Sequence, residues 1–196
     1  KVRQILNYLQ KYENEYELLE NLAGWVFIEW SRAAEFTNGV NYCANMLYAL
    51  SLQRAGELYA DEKFLLKAQR IKTRIRSRSY NKNGELVLCG DISEVCQYYA
   101  FFSETATPET YPELWQTLLM DFGPRRKQEN KYPQVCYANA FIGNFLRLSL
   151  LHEYGYGKQL IEECRDYFLY MANRTNTLWE HDTDTASCCH GFTSYL

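Results

Sequence analysis

The sequence predicts an all-α fold. It reads as a partial (α/α)6 toroid of roughly eight helices, buried inner helices alternating with amphipathic outer ones, joined by short strand-like loops. Two observations predict it. Segments apolar on nearly every face alternate along the chain with segments that carry a single apolar stripe. In a double ring, inner helices touch the hollow on one side and the outer ring on the other, whereas outer helices bury one stripe only. No repeat of fixed length runs through the 196 residues, which favours a toroid over a helical solenoid. At about 24 residues per helix and connection the chain fills roughly eight helices, where six closed hairpins need roughly twelve. Residues 1–196 are therefore expected to form one segment, the later part of such a ring. A start at Lys1 rather than Met agrees with a piece of something longer.

The elements follow in order. Val2, Ile5, Leu6 and Leu9 share one helical face, so residues 1–11 read as a helix end. Tyr12 to Glu20 has no clean period. Gly24 to Trp30 is a short apolar run placed before a long helix, which suits a loop opening onto a cavity. Asn41 to Tyr59 is apolar almost all round and is expected to be an inner helix. Asp61 caps the next helix, to about Arg78, whose Phe64, Ala68, Ile71 and Ile75 make one stripe. Its Arg70, Lys72, Arg74, Arg76 and Arg78 are expected on a solvated face.

Asn83-Gly84 is a turn signal leading to a short strand at Glu85 to Leu88. Asp91 with Glu94 resembles a capping box before the apolar run Val95 to Phe102. Thr110, Pro112 and Glu113 start another helix whose stripe is Leu114, Leu118 and Phe122, stopped by Gly123-Pro124. Arg125 to Tyr132 is expected as a charged loop. Tyr137 to Tyr154 is a second inner helix, broken at Gly155 to Gly157. Lys158 to Asn173 is amphipathic, with Ile161, Cys164, Phe168 and Met171 on one stripe.

Composition narrows the function classes. Hydrophobic residues are 47% and charged residues 23%, which marks a globular chain. Net charge is -3 with no basic block, so a nucleic-acid partner is not expected. There is no apolar run of membrane length and no signal peptide. The seven cysteines show neither a disulfide framework nor the spaced pairs that a zinc site needs, so buried or half-buried thiols are expected, and no metal or cofactor. The 17 Tyr, 10 Phe and 4 Trp serve either sugar stacking or large helical cores.

The chemistry concentrates near the C-terminal end, in residues 177–192. Here Glu180 follows directly on Trp179, a loop rich in Asp and Thr comes next, and His190 lies beyond it. An indole offers a flat apolar face for a pyranose, a carboxylate can activate water, and an imidazole can bond hydroxyls. The same residues also suit a polar interhelical loop in which Trp179 plugs a gap.

Two short segments carry a family likeness: Thr177-Leu178-Trp179-Glu180, and Ser187-Cys188-Cys189-His190 after it. Together with Trp25-Val26-Phe27-Ile28-Glu29-Trp30 and the helix start Asp91 to Gln97, they resemble the glycoside hydrolase family 78 α-L-rhamnosidases, in the family's order. In that family a Thr-x-Trp-Glu segment supplies the catalytic base, a Ser-x-x-His segment a sugar-binding histidine, and an aromatic-Ile-acid-Trp segment usually has Asp where this chain has Glu29. The resemblance implies an (α/α)6 catalytic domain acting on terminal α-L-rhamnose of glycosides or polysaccharides by inversion, with Glu180 as general base. It implies substrate contacts at Trp30, His190, Tyr80, Glu29 and Trp179. The residue-level alternatives are core packing for Trp30, a satisfied helix histidine for His190, no substrate role for Tyr80, and loop anchoring for Glu29.

Inverting enzymes need a second carboxyl, roughly 6.5–9.5 Å from the first, to protonate the leaving oxygen. The family's acidic segment before a Gly-Trp is not in this sequence; Glu13, Glu15, Glu17 and Glu20 do not reproduce it. A missing general acid costs roughly 10²–10⁴-fold, so the chain alone is expected to be inactive or very weak. Faces exposed by cutting a ring are expected to favour self-association. A bacterial setting is implied, with the periplasm, the exterior and the cytoplasm all open. Two other readings stand beside this one: another (α/α)6 carbohydrate-active enzyme, or a non-catalytic helical interaction module.

Overall fold

The computed structural model describes residues 1–35, 37–79, 93–139, 141–181, 183, 185 and 187–189. Among them there are eight α-helices and no extended strands, only isolated bridges. The helices are α1 (Val2–Leu9), α2 (Tyr42–Tyr59), α3 (Glu62–Ser79), α4 (Glu94–Phe102), α5 (Pro112–Asp121), α6 (Arg126–Glu129), α7 (Ile142–Glu153) and α8 (Gly157–Thr175).

The predicted alternation is present. Helices α2, α4 and α7 form the inner row: α2 packs on α4, and α4 on α7. Each is buried on most sides, and in α4 every residue from Glu94 to Phe101 is buried. Behind them lie α3 against α2, α5 against α4 and α7, and α8 against α7. These outer helices bury single stripes. Ala68, Ile71 and Ile75 are at most 2% exposed on α3. Full burial of an aliphatic side chain such as Ile71 contributes about 1.5–3 kcal/mol, so the stripe fixes α3 onto α2. Leu114, Leu118 and Phe122 are buried as expected.

Local signals set the helix starts. The Asn41 side chain accepts from the Ala44 amide at 2.7 Å and caps α2. Asp61 Oδ1 accepts from the Lys63 amide at 3.2 Å at the start of α3. For α5 the expected Thr110 cap is one residue early: Tyr111 is the N-cap, and the Thr110 hydroxyl instead accepts from the Thr107 amide at 3.0 Å in the preceding turn. Helix α7 starts at Ile142 rather than Tyr137: the Ala138 and Asn139 amides and the Tyr137 ring are committed to Glu94, Glu29 and Arg126.

Three further expectations are corrected. On α1 only Leu6 is buried, while Val2 and Ile5 are exposed, since the helix makes few contacts with α2. Ile161 is exposed on α8, and Glu163 takes the inward position. Lys72 is not on a solvated face: it is buried, with Nζ donating to Gln53 at 2.6 Å.

The stretch 125–132 is also more than a charged loop. It holds α6 and a fully buried Arg126. That guanidinium meets Glu94 Oε2 at 2.9 Å and donates to the carbonyls of Lys131, Tyr132 and Val135 at 3.2, 2.9 and 3.0 Å. A second buried pair, Arg147 with Glu163, is bidentate at 2.6 and 2.8 Å and joins α7 to α8. Buried charges persist only when paired and fully hydrogen-bonded, and both guanidiniums meet that condition.

Of the six described cysteines, all free thiols, Cys43 and Cys96 are buried, Cys136, Cys164 and Cys188 half-buried, and Cys189 exposed. Among the described residues no helix is long and apolar enough to cross a membrane. The expected turn at Asn83-Gly84, the strand at 85–88 and the Asp91 cap lie outside the described residues.

Candidate active site

The aromatic run predicted to open onto a cavity sits on a loop pinned at its base. Glu20 bridges Val40, the Asn21 amide donates to the Gly39 carbonyl at 2.9 Å, and the Gly39 amide returns to Asn21 Oδ1 at 3.2 Å. Gly39 has φ +69°, a left-handed conformation that glycine adopts without steric cost. Asn45 of α2 fixes the chain just before this base by accepting from the Leu19 amide at 2.7 Å and donating to the Leu19 carbonyl at 2.9 Å.

Within the loop, Ile28 and Glu29 turn inward and are buried, while Trp25 and Trp30 are 78% and 41% exposed. Trp25, Phe27 and Trp30 pack on one another with ring centroids 4.9–5.9 Å apart, and Phe141 adds its ring 6.3 Å from Phe27. The cluster ends on the C-terminal segment, where the His181 imidazole lies offset over Trp30, 6.3 Å away and tilted by 28°.

Residues 177–180 are held by the stretch that follows them. The Glu180 amide donates to the Ser187 carbonyl at 2.9 Å, and the Thr177 hydroxyl donates to the Cys188 carbonyl. The Thr-x-Trp-Glu and Ser-x-x-His segments therefore run side by side where they are described. Glu180 is half-buried. Trp179 is not a sugar platform. It is 1% exposed, its Nε1–H donates to the Thr175 hydroxyl at 2.7 Å, and the Tyr170 ring meets it edge-on at 5.4 Å. An amphipathic ring buried with its N–H satisfied is a core element. The face expected for a pyranose is spent on packing α8 against the loop.

Glu29 resolves into the anchoring role. Its Oε1 accepts from the amides of Asn139 and Gly143 at 2.9 and 2.6 Å. Gly143 lies in the first turn of α7, so Glu29 supplies an acceptor for an amide that the helix itself leaves unpaired. Among the described residues nothing donates to Oε2. Burial pushes the carboxyl up to about 7. The Ser31 hydroxyl and the two amides oppose that shift.

Asn139 is the site residue that sequence reasoning missed. Its amide goes to Glu29, and its side-chain Nδ2 donates to the Glu180 carbonyl at 3.1 Å. It thus links the two segments singled out in the sequence. Nothing local marks it, because it stands in a run that reads as the start of a helix. His181 also lacked a motif; its only signal was adjacency to Glu180. Tyr80 and His190 lie outside the described residues. Among the described residues no group of His, Cys, Asp and Glu is placed to hold a metal ion.

A separate groove of about 520 Å³ runs between α5, α6 and the start of α8. Its charges neutralise one another, Arg125 with Asp166 at 2.5 Å and Lys131 with Asp121 at 3.0 Å. It contains none of the predicted site residues.

The two layers of helices define a class of fold, a partial helical toroid. Solved structures share this fold. The chain is similar to a GH78 family rhamnosidase of Bacillus sp. GL1, with a TM-score of 0.84 and 17% identity over 98% of this chain. It is also similar to a rhamnosidase from Klebsiella oxytoca solved with rhamnose bound, with a TM-score of 0.71 and 15% identity over 97% of this chain. The chain spans 22% of the length of the first and 39% of the second. Its fold is that of the matching part of these rhamnosidases, a partial helical toroid. No protein-family model and no curated protein sequence matches it.

Proposed function

We propose that this chain carries the base-bearing part of an inverting α-L-rhamnosidase site. Terminal α-L-rhamnose would be bound against the aromatic cluster, with Glu180 taking the proton from the attacking water. One observation supports this reading above the others. In a fold shared with two rhamnosidases, Trp30 meets His181, the neighbour of Glu180, although the two stand 151 residues apart in sequence.

Each group has a role that suits the chemistry. Trp30 offers a half-exposed indole face to the apolar side of the sugar, including the methyl group that distinguishes rhamnose from most hexoses. Glu180, half-buried and next in sequence to the His181 that meets that indole, is the general base. His190 is proposed to bond sugar hydroxyls, and Tyr80 to stand at the rim. The general acid is proposed to come from chain outside these residues, because inversion needs a second carboxyl across the sugar. A uronate-processing toroid is disfavoured, since the cation nearest in sequence to Trp30, Arg32, faces Glu35 at 3.6 Å.

The test compares hydrolysis of an aryl α-L-rhamnoside by this chain and by a version extended upstream through the remaining hairpins. The extended protein is expected to turn over, with Glu180→Gln lowering kcat by roughly 10²–10⁴-fold, and the 196-residue chain to be at least as impaired. Ready turnover by the short chain would overturn the split site. Activity of the extended protein on another glycoside but not on rhamnosides would overturn the substrate.

A further inference from the structure

We propose that Asn139, held in place by Glu29, positions the general base Glu180. The inference rests on the reading of Glu180 as base. It adds two residues that act through Glu180 rather than on the sugar.

The argument starts from how firmly Asn139 is fixed. The Glu94 amide donates to the Cys136 carbonyl at 2.9 Å, and Glu94 Oε2 accepts from the Ala138 amide at 3.2 Å. Glu94 is itself locked by Arg126, by the Tyr98 hydroxyl and by the Gly123 amide. Glu29 then takes the Asn139 amide, and the Asn144 amide donates to the Asn139 carbonyl at 3.0 Å. Both main-chain polar groups of Asn139 are therefore used inside the inner layer. Its side chain is 7% exposed as a residue and reaches the Glu180 carbonyl. A rigid element thus grips the main chain of a loop residue that must hold a carboxylate still. A misplacement of about 1 Å can cost roughly 10²-fold in rate, so such a grip bears on turnover.

Glu29 is needed for that geometry. Its Oε1 serves Asn139 and the first turn of α7 together, so the helix start and the Asn139 main chain share one acceptor. The fit is tight: a Cβ at Gly143 would overlap both Glu29 Oε1 and the Ala138 side chain. Only glycine lets α7 begin this close to the carboxyl.

The test has two readouts. The first is amide hydrogen exchange on the 196-residue chain. Asn139→Ser removes the donor to Glu180 while keeping the Asn139 main chain. It is expected to speed exchange of the Glu180 amide by about tenfold, with α4 amides keeping wild-type protection. Glu29→Leu is expected to do the same, and the double variant no more than the larger single effect. Glu29→Gln keeps an acceptor for both amides and is expected to stay within about threefold of wild type. Unchanged exchange at Glu180 in Asn139→Ser would overturn the proposal without any reference to activity.

The second readout is turnover by the extended protein. Asn139→Ser is expected to lower kcat roughly 10–100-fold with KM within about twofold, because alignment rather than sugar contact is lost. If Glu180→Gln abolishes turnover but Asn139→Ser leaves kcat intact, the positioning role fails and the base survives. If Glu180→Gln leaves turnover intact, the base assignment fails, and the exchange result still decides whether Asn139 holds this loop.

Discussion

Replacing Glu29 by Gln should remove a pH dependence from the stability of this protein. In the folded chain the Glu29 carboxyl is raised from 4.5 to about 7 by burial. Below pH 4.5 it is protonated in both the folded and the unfolded chain and contributes no pH dependence. Between 4.5 and 7 the folded chain holds a proton that the unfolded chain releases, so stability falls as pH rises. Above about 7 the carboxyl is ionised in both states, and the full penalty of a buried charge with one unbonded oxygen is present. At 1.36 kcal/mol for each factor of ten, that penalty is about 3 kcal/mol. Glutamine keeps the acceptor for Asn139 and Gly143 but cannot ionise. Urea unfolding of wild type and Glu29→Gln at pH 5 and pH 8 isolates the effect. Constant offsets between the two side chains cancel, and other titrating groups are shared. The variant's stability relative to wild type should rise by about 2–3 kcal/mol between the two pH values, slightly less than the full penalty because pH 5 lies above 4.5. A gap that stays the same at both pH values would refute the claim that Glu29 titrates from a buried site.

Two more perturbations test the packing that holds the site. Trp179→Ala empties a fully buried indole position and strips the Thr175 hydroxyl of its donor; a loss of about 3–5 kcal/mol is expected in denaturant unfolding, and a loss below about 1 kcal/mol would return Trp179 to the surface. Glu163→Ala leaves the 1%-exposed Arg147 side chain without its bidentate carboxylate. It should cost about 3–5 kcal/mol, whereas Arg125→Ala at the exposed Asp166 pair should cost at most about 1 kcal/mol by the same measurement.

The layered helices were legible because inner and outer helices differ in how much of their circumference is apolar, a property written locally in the chain. Asn41 to Tyr59 and Glu62 to Ser79 differ this way before any contact is known. What escaped the sequence depends on partners that arrive from afar. Arg126 looked like one more charge in a loop, yet its carboxylate stands 32 residues away on α4. Lys72 looked solvated because its neighbours in sequence are, but α2 brings Gln53 over it. Tyr137 to Phe141 read as helix because aromatic and small residues suit an inner helix; the bonds by which Glu94 and Glu29 take the Ala138 and Asn139 amides are tertiary.

The candidate site shows the same division. Trp30 and Glu180 were visible as residue types in unusual company. A Trp beside a Glu carries no sign of which way its ring faces, so the sequence leaves Trp179 open between a sugar face and a plugged gap, and the structure buries it. Asn139 gave no signal, since an asparagine announces itself only in turns and caps.

The acceptor that Glu29 offers is separated from its two amides by 110 and 114 residues. Closing loops of that length costs conformational entropy before any bond repays it, and contacts so distant in sequence form late in folding. Helix hairpins such as α2 with α3 can consolidate early from neighbouring residues. The grip on residues 139 and 143 is expected to form with the docking of α2, α4 and α7. The loop carrying Glu180 is then expected to be aligned late in folding, and to be released by a local opening of the inner row before the hairpins themselves come apart.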